Sequence, residues 1–327
     1  MPFTITDLEA AKATLGDLVL ETPTWIWKGD TKNRWVDPST EVAIKLELLQ
    51  YAGSFKPRGA LCSMLEMNNE ELQRGITAIS AGNHAIAVSY AAKVLGTHAK
   101  VVMPSNAPAS RVATCQAMGT EVVLIEDVMA GFQMVEQIEK AEGRKYIHPF
   151  DGPKTVLGTG TVGLELYRQA HALGVPLDMA IVPIGGGGLA AGMSAAIKLC
   201  NPDCEIYGVE PQGACSMALS FASGKPEKIT SVDTVAKSLG APFALPYSFN
   251  ICRSNINEVV LVSDDELFRG MAIMFNELKL VAEPAAAATL AALIGPLKEK
   301  AKGKRVGIIA CGSNIDRETF CDYLMRG

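Results

Sequence analysis

The sequence predicts an α/β fold of two parallel-sheet lobes, each covered by helices. Short apolar runs alternate with longer amphipathic stretches along most of the 327 residues, the signature of strands joined by crossover helices. The alternation comes in two series, one over about 51–151 and another from about 152. Glycine-bearing loops stand where strands run into helices in both series. A small domain is therefore expected at 51–151. A large, discontinuous domain is expected at 1–50 plus 152–327.

In chain order, Thr6 or Asp7 is expected to cap a first helix running to about Leu18. Thr22-Pro23-Thr24 breaks it, and Trp25, Ile26 and Trp27 form a short apolar segment. Residues 42–48 read as a strand. Lys56-Pro57 then opens a helix, because a first-turn proline loses no hydrogen bond it could have made. The first series continues with strand 75–80, helix 83–95 stopped at Gly96, strand 99–104 and a helix from Pro108 to Gly119. Strand 121–125, helix 131–142 and an extended segment 145–149 complete it. The second series reads as helix 159–173, strand 179–184, helix 189–200 and strand 205–209. Residues 222–257, rich in Pro, Ser and Gly, read as a long loop of the kind that carries function. Asp264 or Asp265 caps a helix to about Lys279, an alanine-rich helix covers 285–297, and 304–310 is the last strand.

Composition narrows the functional classes. A net charge of −5 offers no footprint for nucleic acid or an anionic membrane. No apolar run approaches the roughly 18 residues of a membrane span, and the opening Met1–Asp7 shows no signal peptide. Eight cysteines without disulfide-framework or C-x-x-C spacing point to reduced thiols in a cytoplasmic enzyme.

Lys56 is the centre of the chemical reading. It sits at a loop-to-helix junction beside Phe55. Burial there and the positive helix end both favour the free amine, which Schiff-base chemistry needs. An isolated lysine is otherwise an ordinary solvated side chain. The run Gly185, Gly186, Gly187 and Gly188 joins a strand to a helix, which suits a phosphate cradle built from backbone N–H groups. It also contains a dinucleotide-like Gly186-x-Gly188-x-x-Ala191, with Glu210 where a ribose-binding acid would stand. A nicotinamide oxidoreductase is therefore a second reading, and it leaves Lys56 and Ser80–His84 unexplained. Ser80-Ala81-Gly82-Asn83-His84 is another strand-to-helix loop, suited to a carboxylate or simply to capping. Cys311-Gly312-Ser313-Asn314 is a third. His148 and His171 lack metal-ligand spacing.

Together these stretches resemble the fold-type II pyridoxal-phosphate enzymes, with a tryptophan synthase β-like fold, and within them the threonine/serine dehydratase and serine racemase group. The matching pieces are Ser54-Phe55-Lys56-Pro57-Arg58-Gly59-Ala60, Ser80–His84, His148-Pro149-Phe150-Asp151, Gly185–Gly188, Val209-Glu210-Pro211, Glu283-Pro284 and Cys311–Asn314. They stand in the family's order across nearly the whole chain. The resemblance implies pyridoxal 5'-phosphate as cofactor and Lys56 as the Schiff-base lysine. Phe55 would pack beside the ring, and Asn83 would bond its 3-hydroxyl, with Glu283 also in the cofactor site. Gly185, Gly186, Gly187, Gly188 and Leu189 would hold the phosphate. Cys311 stands where a serine usually faces the ring nitrogen. Ser80, Ala81, Gly82, Asn83 and His84 would bind the substrate carboxylate.

The implied reaction is removal of the α-proton by Lys56 and loss of the β-hydroxyl, ending in a 2-oxo acid and ammonia. Departures from the family refine this. Ala81 replaces the serine that protonates the opposite face in racemases, which disfavours racemisation. Phe132 stands where racemases have an arginine and threonine dehydratases a phenylalanine, which suggests an apolar β-substituent, so threonine-like or larger β-hydroxy amino acids such as phenylserine are expected ahead of serine. Ile86 and Thr159 replace common glutamines, and Ile86 is expected to make the β-substituent pocket more apolar. Lys237 replaces an acid, so hydroxyaspartate is an alternative substrate and a serine racemase-type enzyme an alternative activity. The family's divalent-cation positions fall on Glu210, Ala214 and Ser216, and the neutral serine weakens that set, so metal dependence is expected to be weak. The expected partners are an amino-acid substrate and a second copy in a homodimer.

Overall fold

A computed structural model describes residues 1–126 and 128–327. Its strands are β1 (Thr24–Trp27), β2 (Glu41–Lys45), β3 (Ile76–Ile79), β4 (Ala99–Pro104), β5 (Glu121–Ile125), β6 (Lys145–Tyr146), β7 (Met179–Pro183), β8 (Glu205–Pro211), β9 (Glu258–Val262) and β10 (Arg305–Ile309). Six form one sheet in the order β1-β2-β10-β7-β8-β9, and four form another in the order β5-β4-β3-β6. Every pairing is parallel except β1 with β2, where Trp25 stands opposite Ile44. Strand β10 lies between β2 and β7, with Val306 beside both Val42 and Met179. All five residues of β7 are buried, as expected of a parallel strand covered by helices on both faces.

The large core surrounds the six-stranded sheet. A second core surrounds the four-stranded sheet and also takes Ala11, Leu15 and Val19 from the N-terminal segment. Helices follow β3, β4 and β7 on parallel crossovers, so the C-terminal ends of β3, β7 and β10 converge on one cleft between the sheets. Ligands of parallel α/β sheets bind at such ends.

The lysine helix, Lys56–Met64, is fixed from two sides. It packs on the long helix Pro153–Ala172, where a Cβ at Gly158 would fall on the Arg58 carbonyl. That long helix in turn meets the helix Gly188–Cys200 through Gly163 against Met193 and Gly192 against Thr159. Small residues thus set the spacing between the lysine and the glycine loop. Beneath the lysine, the fully buried Arg58 reaches Glu47 and Glu165, each at 2.8 Å, while Lys45 reaches Glu165 at 2.8 Å. Removing one partner of such a network strands a buried charge and costs about 3–5 kcal/mol.

Several local expectations change. The first helix is Ile5–Leu15, capped by Thr4 with Asp7 returning the bond. Helix Asp264–Asn276 is capped by Ser263 with Glu266. In both, the oxygen one residue outside the first turn faces the orphan N–H groups. The long helix begins at Pro153, six residues before the expected start, because its glycines suit packing rather than intrinsic helix preference. The expected loop 222–257 contains a 3-10 turn, Lys237–Leu239, and a helix, Pro246–Asn255. Helices Asn69–Arg74, Ser216–Ser223 and Arg317–Arg326 were not expected from the sequence. All eight cysteines are free thiols. Among the described residues no helix is long and apolar enough to cross a membrane.

Candidate active site

A cavity of about 290 Å³ lies in the cleft, lined by residues from all three converging loops. Lys56 enters from the start of its helix. The chain before it is pinned to the loop after β10, since Phe55 N–H donates to Cys311 O at 3.1 Å and Ser313 N–H donates to Gly53 O at 2.9 Å. Lys56 and Cys311 are thereby brought to the same wall. The Lys56 Nζ donates to Pro149 O at 2.5 Å and lies 5.3 Å from the Phe55 ring centre. Burial lowers its pKa to about 8, so about a tenth is free amine at pH 7, far more than at the ordinary lysine value.

The glycine loop Gly185–Gly188 follows β7 and opens the helix that starts at Gly188, whose first N–H groups have no partner within the helix. Gly187 has φ +95°, a region that side-chain-bearing residues avoid. A Cβ at Gly186 would enter the Phe150 ring, one at Gly188 would meet the Phe150 carbonyl, and one at Gly185 would press on the Leu239 backbone. The loop is a backbone cradle that only glycine can form here. Together with Lys56 beside it and Cys311 across from it, this donor set fits pyridoxal phosphate. The dinucleotide reading fits less well, because Glu210 is buried and turned away. Its carboxylate accepts N–H bonds from Met217 at 2.9 Å and Ala218 at 2.7 Å, and burial raises its pKa to about 8.

Ser80–His84 follows β3 and lines the opposite side of the cavity. Its side chains are already engaged. Ser80 Oγ accepts Gly82 N–H at 3.0 Å. Asn83 Nδ2 donates to Glu283 at 2.6 Å, and its Oδ1 accepts from Asn314 at 2.8 Å. Glu283 also accepts from Ser238 at 3.2 Å, and burial raises its pKa. His84 Nε2 meets Ile147 O at 2.8 Å. Burial, with the Lys56 charge second, pushes its pKa down to about 3, so its ring is neutral. His148 accepts N–H bonds from Phe150 and Asp151 through Nδ1, at 3.2 and 2.9 Å. It too is held down, to about 4, by burial. Cys311 is buried, and burial, then the Glu283 charge, raises its pKa well above the usual thiol value, so it is a neutral donor.

The cavity thus gathers Phe55, Lys56, Ser80, Ala81, Gly82, Asn83, His84, Phe132, Gly185, Gly186, Gly187, Gly188, Leu189, Lys237, Glu283 and Cys311. Lys237 is exposed and pairs with no acid among the described residues. Ile86 does not stand on the cavity wall. It is buried in the core of the four-stranded sheet's lobe. Glu210, in β8, and Ala214 and Ser216, at the start of helix Ser216–Ser223, also lie outside the cavity, and Ser216 Oγ donates to Ala241 O at 3.3 Å. Among the described residues no three His, Cys, Asp or Glu side chains are grouped to hold a metal.

Three residues escaped the sequence reading. Phe150 and Arg111 line the cavity. Phe243, from the segment read as a long loop, joins Phe132 and Phe150 with ring centres 6.0 Å from each. Phe150 was visible within its motif. Arg111 and Phe243 had no local signal.

Comparison with known proteins agrees with the geometry. A family model described as pyridoxal-phosphate dependent enzyme matches residues 21–312. A phenylserine dehydratase of Ralstonia pickettii is 50% identical over 290 residues, 89% of this chain and 88% of that one. A catabolic L-threonine dehydratase of Escherichia coli is 36% identical over 323 residues, 97% of this chain and 94% of that one. The structure of maize serine racemase superposes with a TM-score of 0.91 at 31% identity, covering 100% of this chain and 98% of that one. With a lysine, a glycine cradle and a neutral thiol meeting in one cleft, the chain belongs to the pyridoxal-phosphate dependent enzymes of the threonine dehydratase and serine racemase group, and pyridoxal 5'-phosphate is its cofactor.

Proposed function

We propose that this pyridoxal-phosphate dehydratase, a hydroxy-amino-acid ammonia-lyase, prefers β-hydroxy amino acids with an apolar β-substituent, phenylserine before threonine. The observation that carries the preference is the pair Phe132 and Phe150 on the cavity lining, with Phe243 packed against both rings. An aryl group gains there by burial and by offset ring contacts worth about 0.5–1.5 kcal/mol each. The identity to a phenylserine dehydratase supports the same reading.

In this reading Gly185–Leu189 would hold the cofactor phosphate, Phe55 would pack beside its ring, and Lys56 would supply the amine that binds it. Cys311 would serve the ring nitrogen as a neutral donor. Asn83, oriented by Glu283, would serve the ring hydroxyl. When bound, the cofactor supplies the electron sink for the α-carbon. Lys56 Nζ would take the α-proton, and its lowered pKa suits that work. Ser80, Ala81, Gly82, Asn83 and His84 hold the carboxylate side. In net terms the α-proton, taken through Lys56, and the β-hydroxyl leave together as one water, and a second water later replaces the nitrogen, so the products are the 2-oxo acid and ammonia. Ala81 offers no proton to the opposite face. Residues 51–151 form the small domain, 1–50 plus 152–327 the large one, and a cytoplasmic homodimer is part of the proposal.

The test compares kcat/KM for phenylserine, threonine, serine and hydroxyaspartate. Phenylserine is expected to lead, and Phe132→Ala to lower its kcat/KM by about 10-fold, with a smaller effect on threonine. L-Serine is expected to give 2-oxo acid with little D-serine. A preference for hydroxyaspartate that disappears in Lys237→Ala would overturn the apolar reading.

A further inference from the structure

The proposed carboxylate loop lacks a free charge of its own. Its Ser80 hydroxyl, its Asn83 amide and its neutral His84 ring are bonded within the protein. The Gly82 N–H is also taken, by Ser80 Oγ. Lys56 is committed to the cofactor, and Lys237 is exposed at the rim. Recognition of a carboxylate in such a cleft favours a charge-assisted partner.

Arg111 supplies one. It belongs to the first turn of helix Ala109–Ala117, which follows β4. Its Nη1 donates to Ala81 O at 3.2 Å and its Nη2 to Asn314 O at 2.7 Å. One carbonyl belongs to the loop after β3 and the other to the loop after β10, so the guanidinium spans the cleft. A Cβ placed on Gly82 would lie 3.6 Å from Nη1, which puts the guanidinium directly beside the loop. The side chain lines both the main cavity and an adjoining chamber of about 180 Å³. These two bonds occupy part of a five-donor fork, and Arg111 pairs with no carboxylate among the described residues.

We propose that Arg111 recognises the α-carboxylate of the substrate, held over the loop by one carbonyl from each side of the cleft. This rests on the reading of Ser80–His84 as the carboxylate loop. Carboxylate recognition then depends on the cleft being closed, because the same guanidinium bridges the two sides.

A matched pair of unreactive ligands tests it. L-Phenylalanine and 2-phenylethylamine differ only in the carboxylate, and neither has a β-hydroxyl to lose. Each is titrated into the holoenzyme and followed by the cofactor absorbance. Arg111→Ala is expected to weaken L-phenylalanine by about 10- to 100-fold, in keeping with a hydrogen-bonded charge, and 2-phenylethylamine by less than about 2-fold. Arg111→Lys is expected to fall between, since a point charge replaces the planar fork. Circular dichroism and the cofactor spectrum confirm that each variant is folded and loaded. Equal weakening of both ligands would reduce Arg111 to a structural brace and overturn the proposal, as would no weakening of either. Loss of hydroxyaspartate turnover with unchanged L-phenylalanine binding would also overturn it, by assigning Arg111 to a distal carboxylate. Because the pair reports binding alone, a wild-type enzyme that ignores phenylserine would refute the substrate preference and leave the Arg111 result standing.

Discussion

The loops after β7 and β3 have the same local topology and opposite construction. Each joins the end of a buried parallel strand to a helix N-terminus, and each faces the same cavity. The loop after β7 presents only backbone, and its glycines are enforced by Phe150 and the Leu239 backbone. The loop after β3 presents side chains held by partners from elsewhere, namely Glu283, Asn314 and Arg111. At Gly82 an added Cβ would have ordinary contacts, the nearest at 3.6 Å. A group that never leaves is suited by a rigid backbone cradle. A group that enters and departs each turnover is suited by a loop whose shape depends on the cleft.

The strongest test of this division is the lysine between the two loops. Lys56→Ala is expected to lower turnover by about 10⁴-fold or more, since it removes both nucleophile and base. Its Schiff-base absorbance should vanish while phosphate-dependent binding of the cofactor persists. Residual turnover within 10-fold of wild type would remove Lys56 from the chemistry.

Next is a direct comparison of the loops. Gly186→Ala overpacks against Phe150, at a cost of about 1–3 kcal/mol, and is expected to weaken the cofactor by about 10- to 100-fold. Gly82→Ala is expected to leave cofactor affinity unchanged and to raise KM. Equilibrium titration of apoenzyme with pyridoxal phosphate, beside steady-state kinetics, separates the two. Equal effects on cofactor affinity would break the division.

Smaller effects come from pH. Lys56 has its folded pKa at about 8, below the ordinary 10.5. The rate of apoenzyme reconstitution should therefore rise as pH climbs towards about 8 and then level. Apoenzyme stability should rise between about 8 and 10.5, because the unfolded chain holds the proton there and the folded one does not. His84 and His148 are depressed from 6.5 to about 3 and about 4. Their stability contribution is full above 6.5 and lost as pH falls through those lower values. Denaturant melts across pH check both signs.

The smallest expected effect is that of chelation. Glu210 already accepts two helix N–H bonds, and Ser216 offers only a hydroxyl, a poor ligand for a hard cation. Activity after chelator treatment should stay within about 2-fold of the untreated enzyme. Loss of most activity, restored by Mg²⁺, would restore this third strand-to-helix junction to the working parts.

Much of the site was legible before the fold. The four glycines stand out through residue type at a strand-to-helix junction, where backbone conformation and a helix end constrain chemistry locally, whereas the proposed roles of Lys56 and Cys311 came only from the pattern of all the motifs together. The caps Thr4 and Ser263 were misplaced onto Thr6 or Asp7 and Asp264 or Asp265, although their partners Asp7 and Glu266 lie only three residues on. Helix Pro153–Ala172 was shortened by its glycines, whose value lies in letting two other helices approach. Ile86 was misplaced because a helix register decides which face it shows, and here that face is the core.

By itself the sequence determined the alternating α/β pattern and the strand-to-helix loops, which depend on neighbours a few residues apart. Only the tertiary structure decided that Phe132, Phe150 and Phe243 form one cluster, and that Arg111 reaches both Ala81 and Asn314. Those groups lie tens to hundreds of residues apart. Their meeting follows from how two sheets pack across a cleft, which no local pattern encodes.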